Sequence, residues 1–191
     1  MGFMQKPTAF IAVLGLGTTL TAPSIAFADT FSGDINDDAF KFQYTAANAS
    51  SNLDLNASIL YHDDNGQIYT VGGNVTGQSL HKANVHGSLG GKLYYLDLDG
   101  YDGVAIGLGG QANILIPKVH GLSFQIEAYY APSVLSTGDI EHHIDFTGKA
   151  KYRVLDNGSV YLGYRKAHVD IENAGDGDVD EGFHIGLELD I

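Results

Sequence analysis

Residues Val104 to Tyr130 read VAIGLGGQANILIPKVHGLSFQIEAYY, two alternating arms joined by a turn at Pro117–Gly121. In the first arm Val104, Ile106, Leu108, Gly110, Ala112, Ile114 and Ile116 share one face, and Ala105, Gly107, Gly109, Gln111 and Asn113 the other. In the second, Leu122, Phe124, Ile126, Ala128 and Tyr130 stand opposite Ser123, Gln125, Glu127 and Tyr129. Successive side chains of a strand point to opposite faces, so a period of two gives each arm an apolar side and a polar or small side. A soluble hairpin has the same pattern. The decision therefore rests on whether the chain repeats it.

It does. Alternation returns in Phe40/Phe42/Tyr44/Ala46, in Leu53–Tyr61, Tyr69–Val75 and Val85–Tyr95, and again in Ile144–Val154, Val160–Tyr164 and Phe183–Ile191. With the two arms above this makes nine segments, most near the length at which a tilted strand crosses a bilayer. Asp63-Asp64-Asn65-Gly66 and Asp156-Asn157-Gly158 mark tight hairpin turns, because Asn and Gly tolerate positive φ. Short connections alternate with longer acidic ones at Asp97–Gly103, Ala131–Glu141 and Asp170–Glu181, as the two ends of a transmembrane barrel require. Tyr61, Tyr69, Tyr95, Tyr130, Tyr164 and Phe183 fall toward one rim of the apolar face and Tyr152 toward the other, where aromatic rings favour the membrane boundary. The reading is an all-β, small antiparallel up-and-down transmembrane β-barrel. Single-chain bacterial barrels have even strand numbers, so Asp29–Ile35 is taken as a tenth strand; eight is the alternative.

The first 28 residues read as a secretory signal, with Lys6 in the leading region, Ala9–Leu16 as apolar core and Ala26-Phe27-Ala28 as cleavage site. Residues 29–191 then form the barrel. Removing Lys6 leaves 9 basic against 23 acidic residues, a net charge of −14, which excludes nucleic acid as a simple electrostatic partner. The absence of cysteine excludes disulfide and thiol chemistry.

With the apolar face outside, the polar face becomes the lumen. Glu127, Lys149, Lys151, Arg153, Arg165 and Glu188 are expected to form ion pairs there, with Lys149 near Arg165 and the two glutamates on flanking strands. A barrel this small is largely filled by its own side chains, so a structural polar core is preferred to a solute pore. His142 and His143, beside Asp139 and Asp145, are the candidates for rim hydrolase chemistry or a transition metal, although no serine stands at motif spacing and adjacent histidines point to opposite faces. Asp97, Asp99, Asp102, Asp176, Asp178 and Asp180 are candidate ligands for loosely bound Ca²⁺ or Mg²⁺, with a solvated acidic rim as the plainer reading. No other cofactor is implied.

The segment Gln125–Ser136, QIEAYYAPSVLS, resembles the YfaZ family of bacterial outer-membrane proteins, which carries a similar E-x-Y-Y-x-P-x-x-L-S stretch after its central hairpin. Asp63–Gly66 and Tyr161-Leu162-Gly163-Tyr164-Arg165 support the likeness, as do chain length and the leading signal. The resemblance implies an outer-membrane location, with membrane lipid and lipopolysaccharide around the barrel and the barrel-assembly machinery as partner during insertion. It implies no activity, ligand or catalytic residue. This chain departs from the aromatic ending common in outer-membrane barrels, closing on Leu189-Asp190-Ile191. The function classes left open are a structural or interaction barrel at the cell surface, a rim hydrolase, a narrow pore, and a soluble periplasmic barrel with an apolar interior.

Overall fold

The computed structural model describes residues 27–48, 51–77, 84–172 and 175–191. Most of the signal region, up to Ala26, lies outside them. The chain forms β1 (Phe27–Ile35), β2 (Ala39–Asn48), β3 (Leu53–His62), β4 (Gly66–Thr76), β5 (Val85–Leu98), β6 (Tyr101–Leu115) and β7 (Leu122–Ala131). After a single turn of 3₁₀-helix at Ser133–Leu135 come the short β8 (Ser136–Gly138), then β9 (Ile140–Leu155), β10 (Gly158–Ile171) and β11 (Gly175–Asp190).

Ten long strands pair antiparallel with their sequence neighbours, and β1 closes the ring against β11. The extra strand at Asp29–Ile35 is therefore real. A closed ring has no unpaired edge, the condition for backbone to stand in hydrocarbon. The cleavage expected after Ala28 would remove the first two residues of β1 and leave Asp29 paired with Ala46. The Asp29 carbonyl also accepts the Ile191 N–H at 2.8 Å, so the start of β1 and the end of β11 lie at one end of the barrel, called here the terminal end.

At the far end, two of the expected acidic loops are strand. β5 and β6 continue to a two-residue turn at Asp99-Gly100, and β10 and β11 extend to Ile171 and Gly175. Charge does not end a ladder that has left the membrane, because water solvates outward carboxylates while backbone pairing continues. The polar segment after Ala131 is also ordered. β8 folds back beside Gly103–Ala105 of β6, a stretch that extends past the end of β7. Pro132 anchors this return, since its carbonyl accepts the Leu135 N–H at 2.9 Å and the Ser136 hydroxyl at 3.1 Å.

The two faces separate as the alternation requires. Outward side chains are apolar and exposed, including Val71 (63%), Leu89 (76%) and Leu187 (62%). A ring of outward aromatics runs below the far end, with cross-strand pairs Phe40–Tyr61, Tyr69–Tyr95 and Tyr164–Phe183, and with Tyr130 on β7. Ring centroids are 6.1 Å apart in Tyr69–Tyr95 and 5.4 Å in Tyr164–Phe183. Inward positions carry the polar residues, many of them seated over glycines on neighbouring strands. A Cβ at Gly163 would strike the His184 ring, and one at Gly186 the Tyr161 ring, so these glycines make the room that the large lumen side chains occupy.

Candidate functional site: the barrel interior and its far rim

The lumen has three layers. Nearest the terminal end is a polar vestibule of about 240 Å³ lined by Gln43, Gln111, Asn113, Gln125, Lys149 and Glu188 among others. It shares Asn113, Lys151 and Glu188 with a second cavity at the mouth. Lys151 donates to Glu188 at 2.7 Å at this level. Arg153, expected among the ion pairs, instead stands exposed at the mouth. The bulge between Gly158 and Ser159 sets it at the end of the ladder, where its N–H bonds the Gly121 carbonyl at 2.9 Å.

The middle layer consists of buried charge in two clusters. In the first, Lys92 donates to Glu127 and lies 3.4 Å from Asp145, whose other donor is the Tyr94 hydroxyl at 3.1 Å. The Lys92 ammonium also sits 4.3 Å from the centre of the Tyr129 ring, and the Tyr129 hydroxyl donates to Asn74 at 2.6 Å. In the second, Arg165 is only 1% exposed and bridges Asp34 at 2.7 Å and Asp180 at 2.5 Å. The Tyr161 hydroxyl holds the other Asp34 oxygen at 2.9 Å, and the Asn36 amide holds Asp180 at 2.7 Å. Lys149 lies over the Tyr161 ring at 4.5 Å. With Lys41, which faces the space between the clusters, four cations balance four carboxylates. Such compensation is what allows charge to be buried at all. The gap between the clusters is about 10 Å³, the size of a single water.

The third layer is apolar. Leu60, Ile68, Leu96, Leu98, Ala105, Ile140, Val169 and Val179 pack together inside the far end. Nothing in a uniformly polar lumen anticipates this cap. Its signal was nonetheless present: Leu60, Ile68, Leu96 and Leu98 have the parity of the polar face at the ends of their strands.

The expected lumen residues thus meet different partners. The register sets Lys149 opposite Gln125 and Gly163, and Arg165 opposite Thr147. Glu127 pairs with Lys92, and Glu188 with Lys151. Lys92 and Asp34 were missed, although parity puts Lys92 beside His86 and Ser88 on the inner face.

The hydrolase candidates do not converge on one site: His143 and Asp145 lie inside, both against Tyr94, while His142 and Asp139 lie elsewhere. His143 is buried inward, with Nδ1 at 3.0 Å from the His168 carbonyl and its ring edge-on to Tyr94. His142 faces outward and stacks on Tyr130. Asp145 belongs to the Lys92 cluster, and Asp139 accepts the Asp102 N–H at 3.1 Å in the far-end turns. Among the described residues no serine or threonine hydroxyl bonds either imidazole. Of the acidic candidates, Asp97, Asp99 and Asp102 are exposed around the β5–β6 turn. Asp180 is separated from Asp176 and Asp178 by a bulge. Val179 and Asp180 both point inward, which turns Asp178 and Asp176 outward.

On the outer edge of the far end, Glu181 accepts hydrogen bonds from the Tyr164 hydroxyl and from Lys166 at 2.9 Å. These donors hold its carboxyl down at about 2, below the ordinary 4.5.

A closed ten-stranded antiparallel ring with an apolar exterior, aromatic boundary and charged interior defines a transmembrane β-barrel of the outer-membrane type. Within that class the chain belongs to the YfaZ family, whose model, described as YfaZ precursor, matches residues 8–191. Solved structures that resemble it include the KdgM porin, at 8% identity and a TM-score of 0.47 over 86% of this chain and 99% of that one. Another is the outer membrane channel DcaP of Acinetobacter baumannii, at 9% identity and a TM-score of 0.45 over 84% of this chain. The chain spans 54% of the DcaP chain. No curated protein matches.

Proposed function

We propose that this is an integral outer-membrane barrel that works through its cell-surface end and does not conduct solutes. In this reading the signal is cleaved after Ala28, the terminal end faces the periplasm and the far end faces outside. Lipid and lipopolysaccharide surround the apolar belt, and the assembly machinery inserts the chain by way of β11. The observation that carries the reading is the stacking of a neutral charge layer beneath an apolar cap. Together they leave a vestibule that is blind toward the far end.

The chain has no native cysteine, so single introduced thiols report orientation cleanly. An impermeant maleimide applied to intact cells should label Asp99→Cys and should label Asn157→Cys only after lysis. The opposite pattern, or recovery of the protein in the soluble periplasmic fraction, would overturn the proposal.

A further inference from the structure

Beyond the aromatic ring, the outward faces of β9, β10 and β11 bring two imidazoles and three carboxylates together. His168 and Asp170 alternate on β10. The register sets Asp178 across from His168, and it sets Asp176 and His142 across from Asp170 on either side. The Val179 bulge makes this possible by bringing Asp176 and Asp178 to the outside. One ligating atom each from His168, Asp170 and Asp176 lies within 4.8 Å of the others.

The arrangement differs from a plain acidic rim in how its histidines are held. His168 Nδ1 lies 2.7 Å from Asp178 Oδ1, a bond that fixes the ring and turns Nε2 toward Asp170 and Asp176. That Nε2 is 3.8 Å from Asp170 Oδ1 and 3.8 Å from Asp176 Oδ2. Both gaps are too long for a hydrogen bond. They are close to the roughly 3.3–3.6 Å expected between two atoms sharing one tetrahedral ion with bonds of about 2.0–2.2 Å. Independently, His142 Nδ1 is closed off from solvent without a hydrogen-bond partner and faces the other Asp170 oxygen at 3.5 Å. Lys166 donates to Asp178 at 3.1 Å and to Glu181, which keeps Asp178 in its supporting place. Among the described residues neither Asp170 nor Asp176 is bridged by lysine or arginine.

We propose that His168, Asp170 and Asp176 bind one divalent transition-metal ion of the zinc class, with His142 beside them across Asp170. An imidazole nitrogen set beside two carboxylates suits that class, whereas Ca²⁺ and Mg²⁺ seek oxygen alone. The site lies on the outer wall, so its test is independent of whether the lumen conducts.

The experiment is calorimetric titration of the folded, untagged protein in detergent with ZnCl₂. One Zn²⁺ per chain should bind. Binding should be lost in His168→Ala and in Asp176→Asn, and be about 10- to 100-fold weaker in Asp178→Asn. It should be unchanged in Asp99→Asn on the neighbouring acidic hairpin, and persist in excess CaCl₂. Heat-modifiable migration on gels verifies that each variant is folded. Absence of saturable zinc uptake, uptake unaltered by His168→Ala, or displacement of zinc by equimolar calcium would each overturn the proposal.

Discussion

Lys92 stands between two buried carboxylates, and Glu127 and Asp145 depend on it for compensation. Replacing it with methionine strands both, and breaking a buried pair in this way costs about 3–5 kcal/mol. Urea unfolding in detergent should show that loss for Lys92→Met. Lys92→Met combined with Glu127→Gln should lose less, because one of the stranded charges is gone. Steric room makes a second test on β11. Gly186→Ala drives a Cβ into the Tyr161 ring, whereas Gly177→Ala meets open space. The first should destabilise by about 1–3 kcal/mol, as overpacking does, and the second should be nearly neutral in the same unfolding measurement.

Strands β10 and β11 show most plainly what could be read from the chain and what could not. Their faces were legible, because parity alone put Leu162, Ile185 and Leu187 outside and Arg165, His184 and Glu188 inside. Their ends were not. Asp170–Glu181 reads as a loop by charge, yet backbone pairing runs out to Ile171 and Gly175, and one bulge at Val179 sends Asp180 to Arg165 and Asp178 to His168. A bulge is set by the fit of facing strands, which a single strand's pattern does not contain. Partner identity failed for a related reason: Lys92 on β5 and Glu127 on β7 stand 35 residues apart and meet over the intervening β6, a contact that needs the register of three strands.

Two expectations belong to this scale. An arginine at Leu187, near the middle of the lipid-facing band, should cost about 2–4 kcal/mol of folding stability in vesicles. At the far end Glu181 is held at about 2, below its unfolded value of 4.5. A depressed carboxyl stabilises the fold above the unfolded value, and that contribution fades as pH falls from 4.5 toward 2. The melting temperature of wild type should therefore exceed that of Glu181→Gln at pH 7, with the gap closing toward pH 2.

For the molecule as a whole, the ten-strand ring fixes how much interior there is to fill, and tyrosines, charged pairs and an apolar cap fill most of it. The exterior is then the large apolar surface left to the bilayer, and in the proposed orientation the far rim is the surface left to the outside. Conductance tests this account most directly. With insertion verified by heat-modifiable migration of the recovered protein, wild-type barrels in a planar bilayer should give no steady unitary current. A variant with the cap and charge layer opened, Tyr94→Ala with Leu96→Ala and Lys92→Ala, should give one. A steady, reproducible current from the wild-type protein would contradict the closed lumen.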